Sequence, residues 1–220
     1  HGSASKCMSE LFRSNCDGLI YEIRTKKDPC FGGNPPEPME AYLSKLIKEV
    51  NNSSLNGQLS IGLVFDGDGD RIAAIDEQGR YCNTQLLMPV LIDHLARVRN
   101  MPGCVVKTVS GSDLMRLVAE DLGREVLEKP VGFKYIAEEM LSRKVLIGGE
   151  ESGGVGFGHH LPERDALFTA LLLLESIVAD GKCLGEKIDN LHARFGDSYF
   201  ERIDLILKNM EMRRSLESFL

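Results

Sequence analysis

The sequence has no CxxC pair, no excess of basic residues and no apolar run long enough to span a bilayer. Its six cysteines (Cys7, Cys16, Cys30, Cys82, Cys104 and Cys183) are widely scattered. That spacing argues against a zinc site or a disulfide framework and reads as a reduced intracellular chain. The formal net charge of −7 leaves no global positive field for nucleic acid or an anionic membrane surface. The most apolar stretch, Ala166 to Ala179, is shorter than the roughly 20 residues of a membrane span and contains Glu175. No secretory signal opens the chain. A soluble, cytoplasmic protein is expected, with neither nucleic acid nor membrane as partner. Internal repeats and low-complexity segments are also missing.

What is present is an ordinary globular composition, 43% hydrophobic and 27% charged over 220 residues, enough for one large domain or two modest ones. Helix and strand signals alternate. Lys6 to Arg13 reads as helix, Gly18 to Arg24 as strand and Asp28 to Pro38 as a Pro/Gly-rich loop. Met39 to Asn51 has helical apolar spacing. Strands at Leu59 to Phe65 and Ile72 to Ile75 flank an acidic loop, and Glu77-Gln78-Gly79 turns the chain. A long helix over Thr84 to Arg99 stops at Met101-Pro102-Gly103. The second half repeats the alternation: strand Val105 to Val109, helix Asp113 to Leu122, strand Glu125 to Glu128, helix Lys134 to Ser142 and strand Val145 to Ile147. A glycine-rich loop then leads to helices at Asp165 to Ala179 and Leu184 to Phe195, with an edge strand at Tyr199 to Leu207. The pattern predicts an α/β protein of two layered α/β/α domains with mixed, largely parallel sheets. We place the domains at 1–83 and 84–208, with 209–220 beginning a linker.

The acidic loop is the sharpest signal. Asp66, Asp68 and Asp70 alternate with glycines directly after an apolar strand. Three carboxylates so close repel one another, a cost that a divalent cation reverses, and hard oxygen ligands suit Mg²⁺, Mn²⁺ or Ca²⁺. An EF-hand register is excluded: Arg71 stands where that loop requires glycine, and the flanks read as strands. Arg71 beside a metal points to an anionic neighbour such as a phosphate.

The second loop, Gly148-Gly149-Glu150-Glu151-Ser152-Gly153-Gly154, also follows a strand. It is not a P-loop, because no Gly-Lys-Ser/Thr follows. Taken alone it reads as a flexible connection or as a site for a polyhydroxyl ligand, which needs placed acceptors and donors. Lys107, ending a strand, and Lys134, in Val131-Gly132-Phe133-Lys134, are candidates for phosphate contact or proton transfer. Adjacent His159 and His160 rarely converge on one ion, and we read them as solvent-exposed.

Val64-Phe65-Asp66-Gly67-Asp68-Gly69-Asp70-Arg71 resembles the metal loop of the α-D-phosphohexomutase superfamily. In that family three aspartates hold Mg²⁺ against a phosphoserine and the arginine contacts the phosphate. The resemblance covers almost the whole chain but only the family's second and third domains. It implies that Glu150 and Ser152, with Glu151 and Arg164 beside them, bind a hexose phosphate, and that Arg71, Lys107 and Lys134 serve catalysis. Which lysine acts as acid or base stays open, and Arg164-Asp165 reads chiefly as support for the loop. The Glu-Glu-Ser form is similar to the phosphoglucomutase branch; phosphomannomutase and phosphoglucosamine mutase specificity are the alternatives. Asp28 to Pro38 matches the family as scaffold, and His1-Gly2-Ser3-Ala4-Ser5 resembles its His-Gly turn. The implied reaction interconverts hexose 1-phosphate and hexose 6-phosphate through a phosphoserine and a bisphosphate.

The family's Ser-His-Asn-Pro type segment is not found here, nor is its C-terminal phosphate-binding domain. With no initiator Met, the chain is expected to be a fragment, inactive alone, whose partners are the missing N- and C-terminal domains of the same enzyme. Two other readings compete: a non-catalytic metal- or sugar-phosphate-binding module, and a metal phosphatase. The phosphatase reading lacks the Asp-x-Asp-x-Thr/Val nucleophile pattern expected after the first strand.

Overall fold

The computed structural model describes residues 1–12, 20–54 and 59–200. After a short helix α1 (Cys7–Phe12) and helix α2 (Ser44–Ser54) come three strands, β1 (Gly62–Phe65), β2 (Ile72–Ile75) and β3 (Tyr81–Cys82). They form a three-stranded sheet in sequence order, antiparallel throughout, with Gly62 opposite Ile75 and Ala74 opposite Cys82. The second sheet has the order β5-β4-β6-β7, built from β4 (Cys104–Thr108), β5 (Val126–Lys129), β6 (Val145–Gly149) and β7 (Val155–Gly156). Its first three strands are parallel and β7 is antiparallel. Helices α3 (Thr84–Asp93), α4 (Asp113–Asp121), α5 (Phe133–Ser142), α6 (Ala166–Asp180) and α7 (Leu184–Phe195) accompany it. The layered α/β class holds, with the parallel pairing carried by the second sheet.

The pairing follows from connection length. The loop from Asp66 to Arg71 is too short for a crossover, so β1 and β2 must form a hairpin. In the second sheet β4, β5 and β6 are separated by helices and pair in parallel, whereas the short loop from β6 returns β7 antiparallel. β4 and β6 are buried along their whole length, as strands of a covered parallel sheet are, although β4 ends in the polar Lys107 and Thr108. Helix α3 buries eight of its ten residues and packs against both sheets and against α4, α6 and α7. Its side chains join Ile72 and Ala74 of the first sheet to Leu146 and Ile147 of the second in one apolar cluster. Each fully buried Leu or Ile there contributes roughly 1.5–3 kcal/mol.

Four expectations changed on folding. The Met39 to Asn51 helix is broken: Glu40–Tyr42 is a 3₁₀ turn, and the α-helix runs from Ser44 to Ser54. The Thr84 to Arg99 helix carries Pro89 inside it and passes into a π-turn at His94–Val98. Ile20 to Arg24 form no strand; Arg13 and the first part of that expected strand lie outside the described residues. Tyr199 and Phe200 are likewise not strand, and the rest of that expected edge strand, with the segment from 209, lies outside the described residues. No helix among the described residues is long and apolar enough to cross a membrane. The five described cysteines are free.

A polar clamp fixes the first sheet to helix α7. Asp76, fully buried, accepts from the backbone N–H of Gln78 and Arg80 and from Arg80 Nε at 2.5 Å. The same Arg80 pairs with Asp189 of α7 at 2.8 Å, and Glu77 accepts the N–H of Gly185 at 2.9 Å. The half-exposed Arg80–Asp189 contact alone is worth about 0–1 kcal/mol. The Asp76–Arg80 contact matters more, because Asp76 is fully buried and without Arg80 would hold a poorly compensated charge.

Candidate metal centre and adjoining cleft

The hairpin loop between β1 and β2 is organised by Asp66. Its Oδ1 accepts from the N–H groups of Gly69, Asp70 and Arg71 at 3.0, 3.0 and 3.1 Å, and its Oδ2 takes Arg71 Nε at 2.6 Å. The loop is buttressed from outside. The Ser3 N–H donates to the Gly67 carbonyl at 3.1 Å, and the Gly67 N–H donates to the Pro36 carbonyl at 3.0 Å. A Cβ on Gly2 would stand 2.3 Å from the Gly67 carbonyl oxygen, so the backbones meet where no side chain fits. The His-Gly turn and the Pro-rich loop thus shape the acidic loop.

Carboxylate oxygens of Asp66, Asp68 and Asp70 lie within 4.8 Å of one another. Among the described residues this is the only such cluster of three or more His, Cys, Asp or Glu. Burial would raise the Asp66 carboxyl, but hydrogen bonds and charge from Arg71 bring it below the ordinary value. Asp70 moves the other way: burial raises it, and Asp66 and Asp68 raise it further against the pull of Arg164. The donors are hard oxygens and their repulsion is only partly neutralised, so the set fits a divalent cation such as Mg²⁺.

The glycine-rich loop between β6 and β7 is joined to this one through the backbone. The Ile72 N–H donates to the Gly153 carbonyl at 3.1 Å, and Arg71 forms an antiparallel bridge with Gly154. Gly153 has φ 107°, and a Cβ there would stand 2.9 Å from the Ile72 carbonyl oxygen. Arg164 adds a side-chain link, placing one terminal nitrogen 2.7 Å from Asp70 Oδ2. The neighbouring Asp165 caps α6, accepting the Phe168 N–H at 2.8 Å. Arg164 thus bridges the acidic loop and the start of α6 through Asp70.

Glu150 is buried, and its Oε1 accepts the Gly132 N–H at 2.8 Å. That bond ties the glycine-rich loop to Val131-Gly132-Phe133-Lys134, where Lys134 is exposed at the start of α5, 4.8 Å over the Tyr135 ring. Lys107 is buried, donating to Glu128 at 2.7 Å and to the carbonyls of Gly111 and Thr108 at 3.0 and 3.4 Å. Glu151 accepts the hydroxyl of Ser110, a partner the sequence reading missed. His159 and His160 are exposed, as expected, and His160 stacks on Phe168 at 4.5 Å. A cleft of 280 Å³ opens beside the loops, with Arg71, Glu151 and Ser152 on its wall together with Glu37, Glu40 and Tyr81. The aspartates, Glu150, Arg164 and both lysines are not part of that wall.

Burial raises the Glu150 carboxyl above its ordinary value, against the pull of the Gly132 N–H, and Glu151 raises it further. A raised acid binds its proton more readily folded than unfolded. Stability therefore falls as pH climbs from the unfolded value through the folded one, and at neutral pH the ionised group is held at a cost. Glu150→Gln keeps an acceptor for Gly132 and removes the charge. Its melting temperature at pH 7 is expected to exceed wild type by a few degrees, with the gain vanishing in acid. A drop at pH 7 in a thermal melt would show that the charge is stabilising.

Two family descriptions match this chain. Residues 1–79 match phosphoglucomutase/phosphomannomutase alpha/beta/alpha domain II, and residues 83–195 match domain III. The chain belongs to the phosphoglucomutase/phosphomannomutase family. Phosphoglucosamine mutase of Carboxydothermus hydrogenoformans is 38% identical over 128 residues, 57% of this chain and 29% of that protein. Phosphoglucomutase 1 of Drosophila melanogaster is 28% identical over 186 residues, covering 83% of this chain and 32% of its own length. A crystal structure from Thermus thermophilus, assigned as a phosphomannomutase, superimposes with a TM-score of 0.80 at 36% identity, over 87% of this chain and 43% of that one. The chain thus spans about a third of the two curated relatives, and its family members are mutases of more than one hexose phosphate.

Proposed function

We propose that this chain is the metal- and sugar-binding part of a phosphoglucomutase-like enzyme that interconverts hexose 1-phosphate and hexose 6-phosphate. The observation that carries the reading is the backbone junction at Arg71–Gly154 and Ile72–Gly153, which seats an aspartate triad beside a Glu-Glu-Ser loop. Asp66, Asp68 and Asp70 would hold Mg²⁺. When bound, the ion supplies positive charge to a transferring phosphoryl group. Arg71, fixed through Nε by Asp66 and lining the cleft, adds a second positive group aimed at the same phosphoryl oxygens.

Glu150, Glu151 and Ser152 offer acceptors and a hydroxyl to sugar hydroxyls. Lys134 is exposed and available for phosphate contact or proton transfer, whereas the three acceptors around Lys107 suit an ammonium that braces the end of β4. We assign the phosphoserine and the second phosphate site to further domains of the same cytoplasmic enzyme. The units 1–83 and 84–208 contribute the rest.

The test is a mutase assay of the full-length protein with glucose 1-phosphate and mannose 1-phosphate, with and without Mg²⁺. Mg²⁺-dependent formation of glucose 6-phosphate, at higher kcat/KM than the mannose reaction, is expected. The 220 residues alone should give no turnover. Release of inorganic phosphate without isomerisation would instead favour the phosphatase reading.

A further inference from the structure

Glu151 does not stand free in the glycine-rich loop. A carboxylate is acceptor-only, so the Ser110 hydroxyl must donate to Glu151 Oε2. With its proton so committed, Ser110 Oγ is left to accept from Thr108 Oγ1 at 3.0 Å, which fixes the direction of the chain. The Ser110 backbone is fixed as well: its carbonyl accepts Gln85 Nε2 at 2.8 Å. Gln85 Oε1 in turn accepts the Ser112 N–H at 2.5 Å, and the Ser112 hydroxyl donates to the Gln85 carbonyl at 3.3 Å. That carbonyl lacks its usual helical donor because the residue four positions on is Pro89. Gln85 itself is 2% exposed, so both ends of its amide are used inside the protein.

The first turn of α3 therefore grips the loop between β4 and α4 at three points, and the gripped loop holds a carboxylate on the cleft wall. Neither Gln85 nor Ser110 lines the cleft. We propose that Ser110, seated by Gln85, is a positioning residue that fixes the Glu151 carboxylate and thereby sets affinity for the sugar. The inference rests on the mutase reading of the cleft. One oxygen of Glu151 is taken by Ser110, which leaves the other to accept from a substrate hydroxyl. An unheld glutamate would have to be ordered at each binding event, which weakens affinity without altering the phosphoryl-transfer step.

The experiment uses the full-length protein and a double-mutant cycle of Ser110→Ala and Glu151→Ala, with Ser110→Thr as the conservative variant. For glucose 1-phosphate, Ser110→Ala is expected to raise KM about tenfold with kcat changed less than threefold, the worth of one hydrogen bond to a charged group. Ser110→Thr should restore KM, and Ser110→Ala should add nothing to Glu151→Ala. Thermal melts and calorimetric titration with glucose 1-phosphate accompany each variant, so a folding defect is separated from weakened binding. Wild-type KM in Ser110→Ala, or additive effects in the double variant, would overturn the role of Ser110. Wild type without mutase activity would overturn the functional reading itself.

Discussion

Asp66→Ala should leave the full-length enzyme at least about a thousandfold less active and lower its melting temperature by on the order of 10 °C. Three backbone N–H groups and the Arg71 guanidinium converge on this carboxylate, whose side chain is 1% exposed. Removing a buried partner of an ion pair costs about 3–5 kcal/mol, a large share of the 5–15 kcal/mol typical of a domain. The functional loss has a separate origin. Without Asp66 the loop loses the acceptor that holds its turn closed, so Asp68 and Asp70 no longer converge, and Arg71 is released from its fixed direction. Asp66→Asn makes the distinction visible. It keeps an acceptor for the N–H groups, so it should recover part of the melting temperature while activity stays low. Chemical denaturation and steady-state rates for the two variants, measured side by side, would show it. An Asp66→Ala enzyme within threefold of wild type would mean that the loop does not organise the site.

Gly153→Val should be nearly as damaging, by geometry alone. The residue has φ 107°, a conformation that a β-branched side chain adopts only under strain of about 1–3 kcal/mol. Its Cβ would also press on the Ile72 carbonyl from 2.9 Å, against backbone that cannot rotate away. Relief requires separating the two loops, breaking the Ile72–Gly153 hydrogen bond and the Arg71–Gly154 bridge. A shift of about 1 Å between metal and sugar groups is enough for a rate loss on the order of a hundredfold. Metal affinity should change little, because the aspartates lie on the other loop. A Gly153→Val protein with normal kcat/KM would show that the junction does not register the two halves of the site.

The site was partly legible before folding, and the reason is local. Asp66, Asp68 and Asp70 are close in sequence, and their alternation with glycine after a strand already dictates convergence. Glu150 and Ser152 are likewise neighbours. What escaped the sequence was long-range: Arg164 on Asp70, Gly132 on Glu150, and Ser110 on Glu151, the last pair 41 positions apart. Nothing in the spacing of such pairs marks them, because tertiary packing alone brings them together. The fold shows the same division. Ile72 to Ile75 and Leu184 to Phe195 were read to the residue, since period and breakers are local signals. The break of the second helix at Leu43 was not, although apolar spacing continues through it. The antiparallel first sheet follows from the brevity of the 66–71 loop, which the overall strand–helix alternation obscured.

Whether the aspartate loop is a metal site is tested most cleanly at Asp68, which is exposed, so that its replacement is expected to leave the fold intact. Calorimetric titration of Mg²⁺ into the full-length protein and into its Asp68→Asn variant measures this directly. One ion per chain is expected for wild type, with affinity at least tenfold weaker in the variant and equal melting temperatures for the two metal-free proteins. Equal Mg²⁺ affinity in both, or no binding by wild type, would contradict the assignment.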